Sequence, residues 1–145
     1  CRVTILLSTR EEVGSQGAET AAFREEPDMA IAVDVSFAEQ PGVPAHKCGK
    51  LSEGPMIGIS PILDKSITET LKRLAKEQEI PFQLEVMGGT TGANADEINV
   101  SRAGVPCGLV SIPQRNMHTP AEVCDLMDIE NVARLLAAFI REVGA

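Results

Sequence analysis

Apolar positions along the chain follow two rhythms. The first is the continuous or alternating run of a strand. Residues 3–7 (VTILL) are apolar or β-branched throughout and predict a buried strand, as do residues 29–35 (MAIAVDV). Residues 106–112 predict a third strand, closed by Pro113. Residues 82–87 alternate apolar and polar side chains and predict a fourth, and residues 56–59 a short fifth. The second rhythm is helical. Over residues 64–79, Ile67, Leu71, Leu74 and Ala75 fall on one face. Ser66 and Glu69 fit a capping box there, and Pro81 bars continuation. Residues 128–143 place Ile129, Val132, Leu136, Phe139 and Ile140 inward. Shorter helices are predicted over residues 13–23, around Ala18, Ala21 and Ala22, and over residues 94–102. Residues 41–50, with two Pro and two Gly, and residues 88–92 read as loops. No internal repeat is visible. Strands separated by helices of this length predict crossover connections. The expected fold is α/β, a mixed, mostly parallel sheet covered by helices on both faces.

Composition narrows this picture. A length of 145 residues suits one domain, and 43% hydrophobic content with no low-complexity tract predicts an ordered core. Trp and Tyr are absent and only four Phe are present, so Ile, Leu, Val, Met and Ala must fill that core. So few aromatics also argue against base stacking on nucleic acid. A net charge of −8 repels phosphate backbones and anionic lipid, which sets aside nucleic-acid and membrane partners. No apolar run reaches 18 residues, so no membrane span is expected. The opening stretch lacks the pattern of a signal peptide and begins without Met. The expectation is that it opens partway through a longer, cytoplasmic protein. Cys1, Cys48, Cys107 and Cys124 show no C-x-x-C spacing, which disfavours a thiolate zinc site. They read as buried, reduced cysteines, with disulfides as the alternative.

In α/β sheets, reactive groups collect just past the carboxyl ends of strands. Three positions follow that rule. Glu11 and Glu12 come after residues 3–7, Asp34 lies near the end of residues 29–35, and His118 follows residues 106–112. Asp34 stands among Ile31, Ala32, Val33 and Val35, where an ionised carboxylate needs a partner or a cation; it also reads as a strand-end acid turned to solvent. Two adjacent carboxylates suit a division of labour, one on a metal and one free to take a proton from water. On composition alone they better suit a solvated pair opening a helix. His118 alone reads as a ligand or as a hydrogen-bonded structural residue, and His46, in the Pro/Gly loop, as exposed. The stretch Gly88-Gly89-Thr90-Thr91-Gly92 lacks the Lys of a phosphate loop and predicts a tight turn, whose amides suit a substrate carbonyl or carboxylate.

Taken in order, Ser8-Thr9-Arg10-Glu11-Glu12-Val13-Gly14, Ala30-Ile31-Ala32-Val33-Asp34-Val35, Gly104-Val105-Pro106, Ile112-Pro113 and Arg115-Asn116-Met117-His118-Thr119-Pro120 resemble the glutamyl or deblocking aminopeptidase family. These are dinuclear metallopeptidases of the tetrahedral-aminopeptidase type, often labelled cellulase or endoglucanase. The resemblance covers nearly the whole chain. It implies a zinc-peptidase-like fold and a metal-dependent aminopeptidase. By resemblance, Glu11 matches the general base, Glu12 and His118 ligands of one metal, and Asp34 a ligand of the other. Gly89, Thr90, Asn94 and Arg115 are the expected substrate-binding positions. Two divalent ions, zinc, cobalt or manganese, are implied, with further ligands upstream of Cys1. The chain then corresponds to the C-terminal part of a catalytic domain, without the upstream ligands or an inserted small β-domain, and inactive by itself. The family also implies peptide substrates and a homo-oligomer, in the form of a dodecamer. Two departures stand out. Arg10 replaces a frequent Gln, and Ala93-Asn94-Ala95 replaces a frequent Thr-Asp-Ala. The alternatives are a related metal-dependent amidohydrolase or deacylase, and a non-catalytic or carbohydrate-active protein. The last sits poorly with adjacent carboxylates and 3% aromatics.

Overall fold

A computed structural model describes residues 1–145. Its framework is a five-stranded sheet. Strand β1 (Ala30–Phe37) runs parallel to β4 (Cys107–Arg115), in unbroken register from Ala30 against Cys107 to Phe37 against Gln114. On its other side β4 pairs antiparallel with β2 (Met56–Ile59), which runs parallel to β3 (Gln83–Val86). The order is β1-β4-β2-β3, and the short β5 (Val123–Cys124) pairs antiparallel with the end of β4. The longer ladders are the parallel ones, so the sheet is mixed and mostly parallel, as predicted.

Helices cover both faces. On one, α2 (Lys65–Glu77) and α4 (Leu126–Gly144) press Ile67, Leu71, Leu74, Val132, Leu135 and Phe139 onto Ile57 and Val110. On the other, α1 (Gln16–Glu25) and the single turn α3 (Ala95–Ile98) bring Ala18, Ala22, Ala95 and Ile98 onto Ala32, Cys107 and Leu109. The central strand β4 is enclosed on both sides, which explains its largely apolar character. No helix is long and apolar enough to cross a membrane.

Several expectations need correction. Residues 3–7 form no strand, and Ile5 and Leu7 are 84% and 89% exposed. An apolar run makes a strand only where another strand satisfies its backbone, and none lies beside it here. Pro113 does not end β4. The Ala30 N–H donates to Pro106 O and the Ala38 N–H to Gln114 O, so even-numbered residues of β4 face β1. Odd-numbered Pro113 points its missing donor away from that ladder. Helix α4 starts at Leu126, and its buried face is Asp128, Asn131, Val132, Leu135, Ala138 and Phe139. Ile129 and Ile140 are 42% and 40% exposed, because the stripe is turned toward a buried Asp128. Of the cysteines, only Cys107 is buried, and burial pushes its thiol up to about 12. Cys1 is exposed, Cys48 and Cys124 are half-buried, and none is paired.

The cap of α2 is Asp64 rather than Ser66. Its Oδ1 accepts from the Ser66 N–H (2.8 Å), the Ile67 N–H (3.0 Å) and the Ser66 hydroxyl (2.5 Å). The Ser66 hydroxyl, then the Ile67 amide, hold the carboxyl below its ordinary range. Asp64→Ala is expected to cost about 1 kcal/mol, the usual worth of an N-cap. Because the folded pKa is depressed, this contribution is complete above the unfolded value near roughly 4 and fades as pH falls through the folded one. Urea titrations of both forms at neutral and acid pH should show the gap closing in acid.

Candidate active site

A single turn of 3-10 helix, Glu11–Val13, carries the acidic pair just before α1. It is framed by two left-handed residues, Arg10 (φ 60°) and Ser15 (φ 55°), and closed by the Ser15 N–H donating to Arg10 O at 2.8 Å. The Gly17 N–H donates to Thr9 O at 3.1 Å. His118 enters from the loop after β4, also left-handed (φ 62°), its N–H donating to Glu122 Oε1 at 2.6 Å. The imidazole Nε2 stands 3.2 Å from Glu12 Oε1. Residues far apart in sequence thus meet through an acid and an imidazole.

Asp34 is the fifth residue of β1 rather than its end, since the strand continues to Phe37. It is half-buried, and its Oδ1 accepts from the Val35 N–H at 2.8 Å. Burial raises its carboxyl pKa; the Val35 amide opposes that and the Glu12 charge adds to it. Glu11 is also raised, first by burial, then by the charges of Asp34, Glu12 and Glu97, against an opposing influence of His118. Charge thus couples Glu11 to Asp34, Glu12 and His118, and Glu12 and His118 are in contact. Glu97, on α3, was not singled out in the sequence, because an acid on a short helix carries no signal by itself.

Other neighbours were equally hidden. Ser111 faces Asp34 across the β1–β4 ladder, and its hydroxyl donates to Glu85 Oε2 at 2.7 Å. Glu85 also accepts from the Ser36 hydroxyl. A β3 carboxylate thus reaches β4 and β1 beside Asp34.

The expected substrate positions scatter more widely. Gly89 O accepts from the Ser60 hydroxyl, and Thr90 is exposed. The amides of Thr91 and Gly92 do not face an open site. The carboxylate of Asp96 takes the Thr91 N–H at 2.9 and 3.1 Å, the Gly92 N–H at 2.9 Å and the Thr91 hydroxyl at 2.7 Å. Asn94 donates from Nδ2 to Ser8 Oγ at 2.9 Å. Arg115 is exposed at the end of β4, three residues before His118, and His46 is exposed in its loop.

Oxygen and imidazole donors, with a half-buried carboxylate bonded only to its neighbour's amide, fit a divalent cation in kind. They fall short in number, because no three His, Cys, Asp or Glu side chains stand close enough to hold one ion. The sheet with a helical layer on each face is that of an α/β domain. The model of the M42 glutamyl aminopeptidase family matches residues 1–135, and the chain belongs to that family. It is 34% identical over 141 residues to a lysyl aminopeptidase of Pyrococcus furiosus, covering 97% of this chain and 41% of that protein. It superposes on an aminopeptidase from the archaeon Desulfurococcus kamchatkensis with a TM-score of 0.84 at 38% identity, covering 92% of this chain and 39% of the other. A Pyrococcus horikoshii peptidase that can assemble into a tetrahedron or a large octahedral shell gives a TM-score of 0.69 at 26% identity, over 91% and 38% of the two chains. The chain thus spans about two-fifths of the length of these relatives.

Proposed function

We propose that the protein is a metal-dependent aminopeptidase that removes N-terminal residues from peptides, with Glu11 as general base. One observation carries this reading: the Glu12 carboxylate, next to Glu11, meets the imidazole of the distant His118 at 3.2 Å, while burial, with the Glu12 charge, holds the half-buried Asp34 carboxyl above its ordinary pKa. In this reading Glu12 and His118 hold one divalent ion and Asp34 holds a second. Zinc, cobalt and manganese all accept such oxygen and nitrogen donors. Bound there, the ions supply Lewis acidity toward the substrate carbonyl and the attacking water. A tetrahedral ion takes four donors, so the remaining ligands belong to parts of the complete protein beyond these residues.

The work left to this chain is proton handling. Glu11 accepts a proton from the attacking water on its carboxylate and returns it to the leaving amine. Burial and the neighbouring acids raise its proton affinity, which suits a group that must both take and give a proton near neutrality. The acidic surroundings also favour a free, cationic N-terminus over an internal peptide segment. After the relative that assembles into a tetrahedron or a large octahedral shell, we propose a homo-oligomer, in the form of a dodecamer, and separately a cytoplasmic location.

The test is an assay of the complete protein on leucyl-, lysyl- and glutamyl-p-nitroanilide. Chelation should remove activity by at least roughly 100-fold, and zinc, cobalt or manganese should restore it. Undiminished hydrolysis in a demetallated sample, verified by elemental analysis, would rule the metal mechanism out.

A further inference from the structure

We infer that Asn94 is a positioning residue: its amide holds Ser8 and thereby fixes the turn that carries Glu11 and Glu12. The inference rests on the reading of that pair as the reacting carboxylates.

Within this chain residues 1–7 make no strand ladder, and a side-chain bond reaches the entry to the turn. On its other side, contacts with α1 are short-range. Thr9 O accepts the Gly17 N–H, and a Cβ at position 17 would lie 2.4 Å from Thr9 N and 2.6 Å from Thr9 O. Gly17 therefore lets Thr9 lie against the first turn of α1. That contact ties the turn to α1, whose Ala18 and Ala22 rest on the sheet, and leaves the entry at Ser8 to be held separately.

Two side-chain contacts reach further. Glu12 meets His118, but these are the proposed ligands themselves. The other is the bond from Asn94 Nδ2 to Ser8 Oγ, 2.9 Å long and joining residues 86 apart. Ser8 lies three residues before Glu11.

Asn94 is a firm post for this bond. Ala93 and Ala95 on either side are buried in the same core as Ala18 and Ala22 of α1. Its carbonyl accepts the Ile98 N–H at 3.1 Å. Its side chain makes no capping bond to α3, and its Oδ1 is buried without a partner. Burying an unpartnered acceptor is unfavourable, and Ser8 is the amide's single polar contact. The geometry therefore gives Asn94 the role of holding Ser8 rather than of binding substrate.

The experiment uses the complete, metal-loaded protein with Asn94→Ala, Ser8→Ala, the double variant and Ser8→Thr, which keeps the hydroxyl. Each single alanine variant should lower kcat by about 10- to 100-fold with KM within roughly twofold, the effect of a misplaced reacting group. The double variant should be no worse than the worse single, and Ser8→Thr should keep most of the activity. Amide hydrogen exchange over residues 9–13 should quicken in the alanine variants while β4 stays protected. A raised KM at constant kcat would instead make Asn94 a substrate-binding residue and overturn the inference. So would additive losses, or faster exchange with unchanged kcat, or unchanged exchange with unchanged kcat. Half-buried Ser8 lies outside both cores, so its variants report even where Asn94→Ala folds poorly. Exchange reads the tether independently of chemistry. Glu11→Gln, assayed beside these variants, separates the two failures: if it stays active the functional reading falls, and if it is inactive while the alanine variants keep kcat the positioning role alone falls.

Discussion

Glu11→Gln is expected to lower kcat of the complete protein by about 10²- to 10⁴-fold, the usual contribution of a general base. Gln keeps the shape of the side chain and removes the site of proton uptake. KM should change little, because the residue acts on water and the leaving amine rather than on the ground-state substrate. Stability should hold or rise. The folded-state pKa of Glu11 is raised by burial and by Asp34, Glu12 and Glu97, so its ionisation is less favourable in the folded chain than in the unfolded one. A group of that kind loses stability as pH climbs through its unfolded value, and a neutral amide escapes the loss. Steady-state kinetics with a urea titration of the same preparation separate the two effects. Near-parental kcat would remove Glu11 from the chemistry. A collapse of folding would show that the residue holds the turn instead.

Asp128→Ala is expected to cost about 3 kcal/mol of stability. Asp128 is 0% exposed, and its two carboxylate oxygens accept from the Ser52 N–H and the Gly54 N–H, each at 2.8 Å. Hydrogen bonds to a charged group contribute roughly 1.5–3 kcal/mol each, and truncation strands both amides. Ser52 itself is left-handed (φ 66°), and its hydroxyl donates to Asp125. The loop before β2 is thus fixed to the first turn of α4 by two acids. Asp128→Asn keeps one acceptor and should lose about half as much. Denaturant midpoints for the two variants, compared at one pH, check the order. Equal stability of Asp128→Ala and the parent would mean that water replaces the carboxylate.

Much of the sheet and the helical layers was legible, because burial on both faces leaves a direct mark on sequence. The runs that became β1 and β4 are such marks, and the Leu71–Leu74 face of α2 is another. Residues 3–7 carry the same mark without the outcome, since apolar character says a strand is possible and not that a partner is present. The rotation of α4 was invisible for a different reason. Asp128 looks like an ordinary acid in a first turn, and only the distant Ser52 and Gly54 amides make it a buried one. The site divides in the same way. Glu11, Glu12, Asp34 and His118 could be chosen because an ordered set of short motifs singled them out. Glu97, Glu85 and Ser111 could not, since their relevance comes from strand register and helix packing rather than from spacing. Spacing alone leaves the amides of Thr91 and Gly92 free for a ligand, whereas the Asp96 carboxylate, four to five residues further on, takes them.

The two separate cores have a practical consequence for engineering. Asn94 and α1, which flank the acidic turn, rest on the Ala18–Leu109 core, whereas α2 and α4 gather the bulkier Leu, Ile and Phe side chains on the opposite face. Substitutions that tune heat resistance at Leu71, Leu135 or Phe139 reach the reacting groups only through the backbone of the intervening strands. Changes at the small-residue core act on α1, whose first turn is bonded to the acidic turn. Adaptation to a new temperature and adaptation to a new substrate thus have separate places to occur, with β4 as the wall between them.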